Sequence, residues 1–281
     1  LQVQRMLEEP AYRPVFVGTP GQGPTLSWLM TLPSFWLLGP GKLAMRITPA
    51  LGGALGIIAV YLVGRELFGR AVGLVAAGIM ATFVWQVTFS RIAFSSLWSV
   101  TLDAQALFLL LRAIRRGSWT AATWCGLALG MGVWMYYTSR VMAMVLAVAA
   151  ILLYLTKLRA SWTSLVSLSV ASGIGFLIAI SPLLQFAVAH PDQFNGRIGQ
   201  VSILGETRDS HSLAPIVTNI ERHLLMFNWE GDHNGRHNLP GRPELNVLLA
   251  GFAIVGAGIV LARARRFEYQ LTLIWGAAML A

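Results

Sequence analysis

Residues 70–116 read RAVGLVAAGIMATFVWQVTFSRIAFSSLWSVTLDAQALFLLLRAIRR. Two apolar runs, AVGLVAAGIMATFVWQV and SLWSVTLDAQALFLLL, meet at TFSRIAFS around a lone cation, Arg91. Each run approaches the roughly 20 residues that an α-helix needs to cross the hydrocarbon of a bilayer. Neither shows the strict alternation of a half-buried strand. Further arginines stand at the outer ends of the pair, Arg65 and Arg70 before it and Arg112, Arg115 and Arg116 at its close. The stretch therefore reads as two antiparallel membrane spans joined by a tight turn.

The rest of the chain follows suit. Of 281 residues, 56% are hydrophobic and only 12% charged, against about 25% charged in soluble domains, and mean hydropathy is +0.63. Net charge is +9, but the arginines punctuate apolar runs instead of lining one solvated face. That is the membrane pattern and argues against a nucleic-acid partner. Spans are expected at 43–64, 71–89, 92–111, 118–137, 139–156, 163–189 and 246–262, with a last run from 267. The fold class is thus an all-α membrane protein, a multispan transmembrane helix bundle, organised as one membrane-embedded domain over 1–281. Glycines at helical spacing, Gly52/Gly56 and Gly126/Gly130, suit close helix contact in lipid. The single cysteine, Cys125, allows no intrachain disulfide. With no initiating Met, no signal peptide and a final apolar run that stops at Ala281, the chain is expected to be truncated at both ends.

Charge sets the orientation. Arg65/Arg70, Arg112/Arg115/Arg116, Lys157/Arg159 and Arg263/Arg265/Arg266 follow alternate spans, so the positive-inside rule puts all four on the cytoplasmic side. The other side receives tight turns at 90–91 and 138–140 and two external segments, 1–42 and 190–245. Within the first, residues 24–38 (PTLSWLMTLPSFWLL) are short, carry Pro33 and hold Trp28 and Trp36. These favour an interfacial or re-entrant helix over a span.

The polar oddities gather on that external side. Arg91 and Arg140 lie where the rule leaves positive charge out; they suit either snorkelling to lipid headgroups or a phosphate or pyrophosphate ligand. Tyr136 and Tyr137 precede Arg140 and read as belt residues or as ligands. Asp103 is the lone carboxylate within a span. On a continuous helix it would sit about 18 Å deeper than Arg91, open to a proton-relay role or to an interhelical hydrogen bond, with Thr101 and Gln105 nearby. Segment 190–245 holds every histidine, and Arg197, Arg208, Arg222, Arg236 and Arg242 as well. His233 and His237, with Glu230 and Asp232 beside them, make a divalent metal conceivable, yet GDHNG and NLPGRP are turn chemistry rather than an aligned ligand pair. A polar lid over a ligand cleft fits the mixture, and so does a solvated loop.

The run RITPALGGALGIIAVYLVGRELFGRAVGLVAAGIMATFVWQVTFSRIAF resembles the GT-C glycosyltransferases of the protein O-mannosyltransferase and aminoarabinose transferase type, glycosyltransferase family 39. It is most similar to the bacterial group related to lipopolysaccharide-core transferases. The pieces that carry the likeness are Arg46 with Pro49, Tyr61 to Gly69 and Ser90-Arg91. With them go YRPVFVG, GLALGMGVWMYYTSR, HPDQFNGRIGQVSIL and FNWEGDHNGRHNLPGRPEL in the same order. The resemblance implies a GT-C bundle with external juxtamembrane helices and loop. It also implies a multi-pass plasma-membrane enzyme working on the external face, taking a sugar from a polyprenyl-phosphate donor to a glycan, lipid or protein acceptor. The family's catalytic acid has no match here and is expected upstream of Leu1; Glu8 and Glu9 read as solvated charges.

Such a transfer needs a carboxylate to deprotonate the acceptor and fixed cations for the leaving phosphate. In-line attack makes it inverting. The candidates for donor-phosphate and substrate binding are Arg91, Arg140, Tyr137, Arg197, Arg236, His237 and Asp232, with no cofactor expected and a divalent metal left open. The alternative is a lipid-linked sugar flippase or transporter. It would be marked by inverted repeats or helices broken near the midplane, which the sequence does not display.

Overall fold

The computed structural model describes residues 2–17, 23–92, 94–136, 139–157, 162–194, 207, 212–235 and 239–280. The described chain is helical apart from turns and an isolated bridge between Phe16 and Pro24. It divides into two units, Leu1–Phe194 and Asn195–Ala281.

Unit 1 contains α1 (Gln2–Glu8), α2 (Leu26–Leu38), α3 (Lys42–Phe68), α4 (Arg70–Thr82), α5 (Val84–Arg91), α6 (Ser96–Arg116), α7 (Trp119–Met135), α8 (Ser139–Lys157) and α9 (Trp162–Ala189). Three helices, α3, α6 and α9, are long and apolar enough to cross a membrane, and the bent pair α4–α5 makes a fourth if counted as one span. At 13 residues, α2 is only about 20 Å long, short of a hydrocarbon core of about 30 Å.

Glycines make the joints. Gly69, at φ +96°, ends α3 and opens α4, so the two helices turn back on each other at once. Gly73 then lies so close to α3 that a Cβ would come within 2.7 Å of the Tyr61 carbonyl oxygen. α6 ends at Gly117 in the left-handed region, whose N–H donates to Ala113 O, and α7 opens with Ser118 Oγ accepting from Ala121 N. α7 packs between α6 and α9. Against α9 the fit is backbone to backbone: a Cβ on Gly126 would stand 1.8 Å from Ser172 O, and one on Gly175 2.2 Å from Thr123 O. Small residues that let helix backbones approach are the means by which spans associate in lipid. By contrast Trp36, Val188 and many other large apolar side chains are exposed, as a lipid-facing surface requires.

Two local differences from the sequence expectation matter for the site. The span expected at 71–89 is broken at Phe83, where the chain bends by 58°. No proline or glycine causes this; α5 is drawn onto α3, with Gln86 Nε2 donating to Gly53 O at 3.0 Å and Ser90 lodged where a Cβ on Gly53 would meet it. Nor do Arg91 and Arg140 lie in turns: Arg91 is the last residue of α5 and Arg140 the second residue of α8.

Unit 2 contains α10 (Ala214–Leu225), α11 (Val247–Ala262) and α12 (Phe267–Leu280). Glu244 N donates to Met226 O and Leu245 N to Phe227 O, which returns the loop 226–245 to the end of α10. Asn246 caps α11, its Oδ1 accepting from Leu249 N. Arg263, Arg265 and Arg266 fill the turn between α11 and α12, with Arg263 Nη1 donating to Tyr269 OH.

Candidate functional site

The antiparallel course of α5 to α9 brings the end of α5, the start of α6, the end of α7, the start of α8 and the end of α9 to one end of unit 1. The opposite end holds the arginines after α3 and α6, where Arg115 Nη1 donates to Glu66 Oε1 at 3.0 Å. Arg65 and Arg115 therefore share an end, as the charge parity requires, while Arg159 lies outside the described residues.

Aromatic rings line the Arg91 end. Phe89 and Phe94 are 5.5 Å apart and Phe94 and Tyr136 6.0 Å, which links the α5 terminus to the α7 terminus. Arg91 itself is exposed and makes no hydrogen bond or ion pair with any described residue. Arg140 is half-buried, its guanidinium carbon 4.5 Å from the centre of the Phe194 ring, a cation–π arrangement that steadies the side chain. Phe194 leans on Phe16 at 5.9 Å, and Phe16 stacks on Phe186 at 5.0 Å.

The N-terminal segment is part of this end. Phe16 is buried against Val133 and Leu183, Trp134 Nε1 donates to Val15 O at 3.1 Å, and Thr25 Oγ1 donates to Pro14 O. Between α1, α2, α3 and the start of α6 lies a cavity of about 260 Å³, lined by Ser27, Trp28, Thr31, Phe35, Phe94 and Trp98 among others. Phe94 thus belongs both to this cavity and to the aromatic row beside Arg91. A second, apolar cavity of about 340 Å³ lies between α6, α7, α8 and α9, with no ionisable side chain except the Cys125 thiol on its wall.

The carboxylates have other duties. Glu8, the last residue of α1, accepts from Gln4, and Glu9, just beyond it, pairs with Arg5 at 3.1 Å, both exposed. Asp103 is buried, at 4% exposure; its Oδ2 accepts from Ser139 Oγ at 2.9 Å. Because α5 ends at Arg91 and α6 begins at Ser96, the depth of Asp103 cannot be counted along one helix from Arg91; it lies seven residues, about 10 Å, into α6. Thr101 Oγ1 donates to Gly52 O on α3. Ser99 and Ser139 are the residues that sequence reasoning missed.

In unit 2, Asp232 is exposed and its Oδ1 accepts from Asn234 N, a local turn bond of the kind the sequence GDHNG predicts. His233 Nε2 lies 2.9 Å from Glu230 Oε1, both exposed. No group of three or more His, Cys, Asp or Glu gathers as a metal set among the described residues. Of the seven predicted site residues, Arg91 and Arg140 come to one end of unit 1 and Asp232 lies in unit 2. Tyr137, Arg197, Arg236 and His237 lie outside the described residues.

With this geometry in hand, comparison with known families decides the kinship. Residues 21–186, more than half of the chain, match the family described as dolichyl-phosphate-mannose-protein mannosyltransferase. The chain belongs to this family. The matched region includes Arg91, Asp103, Ser139 and Arg140, and stops before Arg197, Asp232, Arg236 and His237.

No curated protein matches the chain. Among solved structures, the mannosyltransferase-family fold seen here is shared with the Archaeoglobus fulgidus oligosaccharyltransferase. In a crystal structure with an acceptor peptide containing the NVT sequon tethered by a disulfide bond, the identity is 17% and the TM-score 0.65. The match covers 99% of this chain and 41% of that one. In complex with an inhibitory peptide and a dolichol-phosphate, the same archaeal enzyme, AglB, matches at 17% identity and TM-score 0.62, over 99% of this chain and 42% of that one. With Zn and sulfate the figures are 17%, 0.63, 99% and 40%. This chain therefore spans less than half the length of these structures, and at such identity the likeness is one of fold, the GT-C membrane helix bundle.

Proposed function

We propose that this chain is part of a membrane glycosyltransferase that moves a sugar from a polyprenyl-phosphate donor to an acceptor on the external face of the membrane. The observation that carries the proposal is the pair Arg91 and Arg140, brought by five helix ends to one end of a spanning bundle whose other end holds the arginines that set orientation. A lipid-linked phosphate resides at that level, where a fixed guanidinium stabilises charge developing on the leaving oxygen. Exposed and unengaged, Arg91 meets the ligand first; Arg140, steadied by Phe194, supplies a fixed charge. The aromatic row and the 260 Å³ cavity beside it offer apolar walls with a few hydroxyls, a lining suited to a sugar and its isoprenoid neck.

The acceptor hydroxyl needs a carboxylate base. Asp103 is unsuited, since it is buried between helices and already accepts from Ser139. Glu8 and Glu9, at the end of α1 and just past it, are engaged by Gln4 and Arg5. The reading assigns the base to a carboxylate N-terminal to Leu1, the place that family resemblance implies, and the outcome to inversion by in-line attack. Arg197, Arg236, His237, Tyr137 and Asp232 are proposed as further donor and acceptor contacts from the loop side. No step is routed through a metal.

The broken span is the one observation that favours a flippase, because transporters bind at helices interrupted near the midplane. Here the break leaves α4 with 13 residues and α5 with 8, about 20 Å and 12 Å. It falls past the middle of the pair, on the Arg91 side. Incubating the full-length protein with radiolabelled polyprenyl-phosphate sugar separates the two: an enzyme releases the sugar onto acceptor, a transporter only relocates it. Arg91→Ala and Arg140→Ala should each lower transfer about 100-fold or more at unchanged expression. Near-normal turnover in both variants would overturn the assignment.

A further inference from the structure

A buried polar cluster ties three helices together one residue away from Arg140. Ser139 Oγ donates to Asp103 Oδ2 at 2.9 Å and lies 2.6 Å from Ser99 Oγ. A serine hydroxyl has a single proton. Ser139 commits its own to Asp103, so Ser99 must donate into Ser139, giving a one-way chain from Ser99 through Ser139 to Asp103. Both serines have 0% exposure. Ser99 and Asp103 are four apart on α6 and so share a face; Ser139 is the first residue of α8. The third wall is Gly132 of α7, where a Cβ would come 3.0 Å from Ser139 Oγ and 3.1 Å from Asp103 Oδ1. A side chain there would force the pair to give by a few tenths of an ångström.

Apolar packing alone would seal this junction at lower cost. A carboxyl group within a membrane span is expensive, and here Asp103 Oδ1 is buried with no hydrogen-bond partner among the described residues. What the acid secures is a location: it pins the first turn of α8, where Met142 is also fully buried, against α6. Arg140 is the next residue after the pinned Ser139.

We propose that Asp103 is a positioning residue, acting through Ser139 to set the height and direction from which Arg140 meets the donor phosphate. The inference rests on the phosphate role given to Arg140 above. Its test is equilibrium binding of a sugar-free polyprenyl phosphate to the full-length protein, read with a double-mutant cycle. Asp103→Leu and Ser139→Ala should each weaken binding about tenfold, the order of a lost interhelical hydrogen bond that fixes a charged contact. Asp103→Asn, which keeps an acceptor for Ser139, should restore affinity to within about twofold. In an Arg140→Ala background Asp103→Leu should cost no more than about twofold further, because the group it positions is gone.

If Asp103→Leu fails to fold, Ser139→Ala, which removes one oxygen, carries the same cycle. A full tenfold loss on top of Arg140→Ala, or an Asp103→Asn as damaging as Asp103→Leu, would overturn the proposal. Arg140→Ala weak with Asp103→Leu and Ser139→Ala both neutral overturns this inference alone. Arg140→Ala neutral overturns the phosphate assignment, and with it this route for Asp103.

Discussion

The α7–α9 contact permits a sharp test of how the bundle is held. In Gly126→Ala the added methyl would stand 1.8 Å from Ser172 O and 2.8 Å from Phe176 N. Ordinary contact between such atoms is about 3.5 Å, so the helices must part locally by about 1.5 Å or one must slide. The obstruction is backbone carbonyl in mid-helix, which cannot swing aside as a side chain would. Overpacking of this kind costs about 1–3 kcal/mol, and the rigid obstruction puts Gly126→Ala at the upper end. The matched control is Gly173→Ala on α9, which would meet nothing within 4 Å; exposed changes of that sort stay within about 0.5 kcal/mol. Thermal unfolding of the purified protein in one detergent, followed by tryptophan fluorescence, reads the difference. At about 2–4 °C per kcal/mol for a chain of this size, Gly126→Ala should melt several degrees below wild type, with Gly173→Ala alongside wild type. Equal melting of the two variants would show that α7 and α9 do not meet as described.

Other outcomes follow from the same geometry. Phe16→Ala removes a ring at 6% exposure that stacks on Phe186 and makes a tilted contact with Phe194. It should cost about 3–5 kcal/mol of local packing and expose residues 12–25 to limited proteolysis, while Tyr12→Phe should leave the cleavage pattern unchanged. Arg115→Ala breaks the pair with Glu66, whose side chains are 38% and 17% exposed; such a pair is worth at most about 1 kcal/mol, so melting should shift little and the remaining shift should shrink with salt.

Much of the bundle was legible because hydrocarbon imposes one simple demand, a run of about 20 apolar residues with charge kept to its ends. The positions of the long spans α3, α6 and α9, the shared end of Arg65 and Arg115, and the close helix contacts at Gly52 and Gly126 follow from it. By contrast, among the described residues, the runs expected to span at 118–137, 139–156 and 246–262 form helices that fall short of the spanning length or hydropathy. The bend at Phe83 was not legible, because it is set by contacts from another helix, Gln86 to Gly53 and Ser90 against Gly53, with no proline or glycine of its own. Asp103 was misplaced for a different reason: its depth was counted along a straight helix from Arg91, whereas α5 ends there and α6 starts anew at Ser96. Arg91 and Arg140 stood out since a guanidinium in an apolar run has few innocent uses. Ser99 and Ser139 did not, because hydroxyls 40 residues apart leave no sequence mark until the fold brings them within 2.6 Å.

The claim on which the functional account depends is that Arg91 and Arg140 together hold a lipid-linked phosphate. Titration of the full-length protein with polyprenyl phosphate tests it directly, comparing wild type, the Arg91→Ala/Arg140→Ala double variant and Arg115→Ala from the opposite end of the bundle. Each charge-assisted contact to a phosphate is worth about 1.5–3 kcal/mol, so the double variant should bind at least about 100-fold more weakly, with Arg115→Ala unchanged. A double variant that binds like wild type, or an Arg115→Ala that loses as much, would contradict the account.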